Sequence, residues 1–201
     1  MTEQEGKWNL RDINIPGIIG GVLIFTLPFM GAWWQVRFGT SAFALDLSPF
    51  AVATSQYGTP IASPVLSVVS LAFMILILYF AALLVAGAML RANPRYRTLS
   101  DWLVRWSARK PVYLIIFFVL SLVVTSLAMD YTLAQSGIAI DLPILIGEAT
   151  GTISVSGLAV RIPATMILTT AFWYAVGVAI VAALAEPYQF RRPRDEPGKD
   201  E

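Results

Sequence analysis

The sequence contains no cysteine and no histidine. These absences exclude a thiolate nucleophile, a disulfide, a Cys/His zinc site and haem ligation by either residue. They also remove the commonest general base near neutral pH. Charge is scarce as well. Asp, Glu, Lys and Arg make up 13% of the chain, against about 25% in an ordinary soluble domain. A net charge of +1 argues against nucleic-acid binding, which needs a large basic excess. A Gly-rich phosphate loop, HExxH and GxSxG are all missing. No cofactor and no enzymatic activity are expected.

Apolar length is what the chain has in abundance. It is 57% hydrophobic, with a mean hydropathy of +0.68. Four apolar stretches, 17–34, 65–90, 112–129 and 163–185, are predicted to be membrane-spanning helices. None carries an acid or base at mid-depth, which weighs against a proton-coupled transporter or pump. Pro28 should kink the first span, and Trp33 and Trp34 read as part of an aromatic belt at its end. Residues 1–16 form a polar segment without the marks of a cleaved signal, and 186–201 is a mixed-charge tail read as disordered. Glu186-Pro187 is expected to end the last span.

The stretch 91–111 divides the chain. It holds Arg91, Arg95, Arg97, Arg105, Arg109 and Lys110, six of the fourteen basic residues. The first intervening loop, 37–64, and the second, 130–162, hold one basic residue each, Arg37 and Arg161. Positive charge concentrates on the cytoplasmic side. The connector and both termini are therefore placed in the cytoplasm, and the two loops outside, in a multi-pass cell-membrane protein. Ser100 is expected to cap a short helix over 101–108, with Trp102, Leu103 and Trp106 on one side and Arg105 and Arg109 towards the other. That pattern suits a helix lying in the membrane interface. The six basic residues are candidates for lipid-headgroup contact or for docking a partner.

Both outer loops carry strand signals. Residues 42–47 and 51–54 in the first loop, and 138–146, 152–155 and 158–162 in the second, are candidate strands. Ser156-Gly157 suits a two-residue hairpin turn. A shift of 95 residues brings the halves into register: Ser41, Ala44, Asp46 and Leu47 fall on Ser136, Ala139, Asp141 and Leu142, and Tyr79 falls on Tyr174. The reading is an internal duplication, repeat 1 over 17–90 and repeat 2 over 112–185. The fold class expected is a mainly α membrane protein. Four transmembrane helices would form a bundle, and a small extracytoplasmic β-sheet would be built from both outer loops.

That layout resembles claudin-like tetraspan proteins, with four spans, both termini inside and an outer sheet assembled from both loops. The resemblance is one of architecture. Trp33-Trp34 stands at the edge of the first loop, but the cysteine pair of the claudin signature is missing. It implies lateral assembly and transfers no functional residue.

The candidate site residues follow from position. Asp46 and Asp141, equivalent under the shift, are either oxygen ligands for a cation or two solvent-facing strand residues. Gly17 and Gly21 form a GxxxG, and Ala171, Ala175, Ala179 and Ala183 a four-residue stripe, both suited to close helix packing. Ser67, Ser70, Thr125, Ser126, Thr169 and Thr170 either line a polar path or bond back to their own helices. The expected function is a non-enzymatic structural or accessory subunit, self-associating in the bilayer or joined to a larger membrane complex. A channel or facilitative transporter for a small solute or ion is the alternative.

Overall fold

The computed structural model describes residues 12–39, 42–136, 140, 142–155 and 158–190. The chain divides into two compact units, one of Met1–Phe25, Ile77–Pro111 and Val178–Glu201, the other of Thr26–Leu76 and Val112–Gly177. It is mainly helical, with α1 (Ile15–Thr26), α2 (Pro64–Leu90), α3 (Arg97–Ala108), α4 (Lys110–Gln135) and α5 (Thr170–Gln189). Among the described residues, three helical stretches are long and apolar enough to cross a membrane: α2, the stretch Pro94–Gln135 that includes α4, and α5.

The first unit is built on close helix contact. A Cβ on Gly17 would meet the Ala88 Cβ of α2 at 2.9 Å, and one on Gly20 would meet the Ala182 Cα of α5 at 2.8 Å. A Cβ on Gly21 would reach the Ala81 carbonyl of α2 at 3.1 Å. The GxxxG face of α1 is thus seated on α2 and the glycine between its two members on α5. The buried face of α5 is Ala171, Ala175, Val178, Ala182 and Ala185, with Ala179 beside it. A strict four-residue stripe drifts about 40° per step around a helix of 3.6 residues per turn. By Ala183 the stripe has turned half out of the buried face.

The second unit carries a six-stranded antiparallel sheet in the order β4-β3-β2-β1-β6-β5. The strands are β1 (Trp34–Phe38), β2 (Phe43–Ser48), β3 (Ala51–Gln56), β4 (Thr59–Ile61), β5 (Gly147–Val155) and β6 (Leu158–Leu168). Strands from both loop regions therefore share one sheet, joined where Val36 pairs with Met166. Alternation explains its two faces. Trp34, Val36, Leu45, Ala164 and Met166 are buried on one face, and Gln35, Arg37, Asp46 and Thr165 lie on the other. Behind the buried face, fully buried Trp33 meets Phe50, Phe118 and Phe172 edge to face, with ring centroids 5.3 to 6.3 Å apart. Tyr57 and Gly58 both take positive φ, 50° and 76°, which is the backbone of a type I′ turn joining β3 to β4.

Several boundaries differ from the sequence expectation. The first helix stops at Thr26. Pro28 sits in a 3₁₀ turn, Leu27–Phe29, Gly31 reverses the chain at φ +82°, and Trp34 opens β1. Trp33 and Trp34 are wholly buried, so they are core residues rather than an exposed belt. The fourth apolar stretch begins as strand, not helix. Residues through Leu168 belong to β6, and α5 starts at Thr170. Pro163 is tolerated in β6 because β1 ends at Phe38, and beyond it only the Pro163 carbonyl is used, by the Gly39 N–H. Pro187 does not end α5, which continues to Gln189. The helix expected over 101–108 starts at Arg97, so Ser100 lies in its first turn and not at its cap. Ile140 and 142–146 form no strand, while the rest of that candidate lies outside the described residues. β5 and β6 pair from Val155↔Leu158 onward, and the expected turn residues Ser156 and Gly157 lie outside the described residues.

Candidate functional site

The first unit holds a buried polar cluster that draws on four segments of the chain. Asn14 starts it. Its Oδ1 accepts from the Gly17 N–H, which caps α1. Its Nδ2 donates to the Ala185 carbonyl at 2.8 Å and to Gln189 Oε1 at 2.9 Å. Gln189 Nε2 donates in turn to Ser100 Oγ and to Asp101 Oδ1, both at 2.8 Å. The Ser100 hydroxyl donates to the Gly87 carbonyl at 2.7 Å, and the Asn14 N–H to the Ala88 carbonyl at 3.2 Å. Asn14 and Ser100 are completely buried and Gln189 nearly so. Every polar atom of the two amides has a partner. That matters because an unpartnered buried amide group costs on the order of 1–3 kcal/mol.

Three of the six basic candidates, Arg91, Arg105 and Arg109, contact the end of α5. Arg109 forms a bidentate pair with Glu186, at 2.6 and 2.7 Å. Arg91 donates to the Tyr188 carbonyl at 2.8 Å and lies over that residue's ring. Arg105 lies over Phe190, Arg95 over Tyr96, and Lys110 over Trp106 and Phe80. Arg97 is exposed at the start of α3. Within α3, Leu103, Val104, Ser107 and Ala108 are buried, while Trp102 and Trp106 stay half exposed with ring centroids 5.7 Å apart. The arrangement ties the connector to the end of α5. It also leaves an aromatic pair bordered by cations facing outward.

In the second unit, Asp46 sits on the polar face of β2, with its Oδ1 2.7 Å from Arg37 Nη2. The contact is Coulombic rather than an aligned hydrogen bond, since that oxygen accepts none among the described residues. Asp141 lies outside the described residues. Glu148 pairs with Thr165 across β5 and β6, and Asp130 lies within α4. The hydroxyl candidates have separate fates. Ser67 donates to the Ser63 carbonyl and Thr125 to the Ser121 carbonyl, one turn back. Thr169 reaches the Ala32 carbonyl at 2.6 Å. Thr170 is the first residue of α5, and Ser70 and Ser126 are buried. Tyr174 shares a hydrogen bond of 2.8 Å with Thr26, whereas Tyr79 is exposed.

The chain matches no family model, no curated protein and no solved structure.

Sequence reasoning missed Asn14 and Gln189. Asn14 was detectable, since Asn followed by Ile-Pro-Gly is a helix-start signal with Pro in the first turn. Gln189 carried no signal, because its role depends on α5 continuing past Pro187. Trp34 was a second omission. Its indole N–H donates to the Leu145 carbonyl at 2.7 Å, which fastens the segment before β5 to β1.

Proposed function

We propose that this is a non-enzymatic multi-pass membrane protein, a structural or accessory subunit that works through lateral assembly and through the polar face of its sheet. In this reading α1, α2, α4 and α5 cross the bilayer, with 91–111 and both termini in the cytoplasm and the sheet outside. The single sheet shared by the two loop regions carries the proposal. It turns two strand-bearing loops into one continuous platform, polar on its exposed face. Large apolar side chains left open on the long helices support the membrane setting: Val65, Val68 and Ile75 on α2, Phe117, Leu120 and Val124 on α4. The half-exposed Trp102 and Trp106, bordered by Lys110, suit an interfacial α3.

The first crossing is the shortest. Twelve residues of α1 and three of the 3₁₀ turn reach about 24 Å, against ~30 Å of hydrocarbon, so the bilayer thins locally around it. The glycine face of α1 and the alanine face of α5 are occupied within the chain. Assembly between chains then uses the open apolar faces of α2 and α4. The proposed layout resembles that of claudin-like proteins, a resemblance that implies lateral assembly.

The absence of native cysteine makes the topology directly testable. Single cysteines at Ala53 on β3 and at Thr98 on α3 are treated with a membrane-impermeant maleimide on intact cells. Ala53→Cys should label at once and Thr98→Cys only after permeabilisation. The reverse pattern overturns the orientation, and labelling of both on intact cells overturns the membrane reading. Cross-linking in native membranes that yields only monomer and no partner overturns the assembly reading.

A further inference from the structure

The second unit contains a cavity of about 660 Å³ between its sheet and α4. That volume falls in the range of small-molecule sites. Its walls are apolar: Phe38 and Phe43 from the sheet, Val124, Ala128 and Met129 from α4, and Ile162 from β6. Gln56, Tyr57, Thr125 and Thr132 also border it and carry the polar side chains of its lining. Val124 and Thr132 lie eight residues apart, so the cavity follows α4 for about 12 Å. Thr125 and Thr132 on this wall both turn their hydroxyls back to α4 carbonyls, those of Ser121 and Ala128, so α4 presents mainly hydrocarbon to the cavity.

Two features say what would enter. The wall is continuous with open apolar surface, since Val124 and Leu127 on α4 are both more than half exposed. Among the described residues none of the bordering side chains is charged, so none of them offers a cation to pair a free carboxylate. A backbone oddity adds a third. Tyr57 is held at φ 50°, a conformation that costs a side-chain-bearing residue about 1–2 kcal/mol. Asn or Gly fits that turn position more cheaply. Yet a large ring stands there, 77% exposed, beside the cavity.

We infer that this cavity takes one acyl chain of a bilayer phospholipid, with the uncharged and exposed Gln56 and Tyr57 bordering the end nearer the headgroup. Tyr57 covers the chain as it leaves the apolar wall. The inference rests on the membrane reading above, so its test must separate the two.

The test uses the full chain in phosphatidylcholine vesicles doped with a phosphatidylcholine that bears a diazirine in one acyl chain. After irradiation, labelled peptides are mapped by mass spectrometry. Label is expected on the open face of α4 around Phe117 and Leu120, and also on 43–57 from the sheet. Ala128→Trp, which fills the cavity, should reduce label on 43–57 about tenfold and leave the Phe117 region unchanged. Tyr57→Gly relieves the turn without filling the cavity. It should keep the fold and lower the same label. A parallel arm with diazirine-bearing palmitic acid should label 43–57 weakly. Label around Phe117 but not on 43–57, or label on 43–57 that neither variant lowers, overturns this inference alone. Stronger labelling of 43–57 by palmitic acid overturns the choice of phospholipid. No label around Phe117 overturns the membrane reading itself.

Discussion

Asn14 and Gln189 are separated by 175 positions in sequence and joined by a 2.9 Å hydrogen bond in a site closed to solvent. Asn14 also caps α1, and Gln189 also holds Ser100 and Asp101. One contact thus connects the start of the first helix, the connector helix and the end of the last. Asn14→Ala should destabilise the protein by about 1–3 kcal/mol, because it strands the Gln189 carbonyl and the Gly17 N–H. Thermal unfolding in detergent measures this. A double-mutant cycle with Gln189→Ala should show coupling, since the two losses share one bond.

Gly20 and Gly177 make an internal comparison. A Cβ on Gly20 would lie 2.8 Å from the Ala182 backbone, whereas nothing lies within 4 Å of one on Gly177. Gly20→Val forces α1 and α5 apart and should cost about 1–3 kcal/mol. Gly177→Ala should be neutral or stabilise by up to about 1 kcal/mol, because it removes a helical glycine. Melting temperatures of the two variants should move in opposite directions or differ by several degrees.

The Arg109–Glu186 pair has ideal fork geometry, but Arg109 is 57% exposed. Solvent screening limits such a pair to about 1 kcal/mol. Arg109→Ala should therefore lower the melting temperature slightly at low salt. The difference from the parent should shrink at high salt. A salt-independent loss would mean that the stem of Arg109, and not its charge, does the holding.

Trp34 is wholly buried and donates to the Leu145 carbonyl. Trp34→Phe keeps most of the packing and deletes the donor. Hydrogen exchange should accelerate in 142–147 while the β1–β2 pairing stays protected. Equal acceleration throughout the sheet would show that the indole supports the whole sheet rather than that segment.

Legibility in the sequence followed the length of the pattern. The apolar run over 65–90 is long enough to admit one reading, and α2 occupies Pro64–Leu90. The strands around Asp46 and Ala53 were legible from β-prone residues bounded by proline and glycine. Residues 163–168 were not, since a short apolar run reads equally as strand or helix until its partner is known. That partner is β1, 125 or more residues earlier, and β1 was itself hidden because Trp33-Trp34 suited a membrane boundary. The Asn14–Gln189 cluster was invisible for a similar reason. Each member is an ordinary polar residue, and only long-range packing makes it a partner. The 95-residue shift aligned Leu45 with Ile140 and Trp34 with Met129. Leu45 lies in β2 and Ile140 in no strand, Trp34 in β1 and Met129 in α4.

The architecture depends on a sheet closed between β1 and β6. Gln35 and Ile167 are Cα partners across that junction, at a separation a disulfide can bridge. With no native cysteine to interfere, Gln35→Cys/Ile167→Cys should oxidise to an intramolecular disulfide in purified protein. The cross-linked peptide is identified by mass spectrometry. The out-of-register pair Gln35→Cys/Val160→Cys should not form one. Cross-linking of the first pair alone is the predicted result. Failure of the first pair, or equal cross-linking of both, would contradict a sheet shared by the two loops.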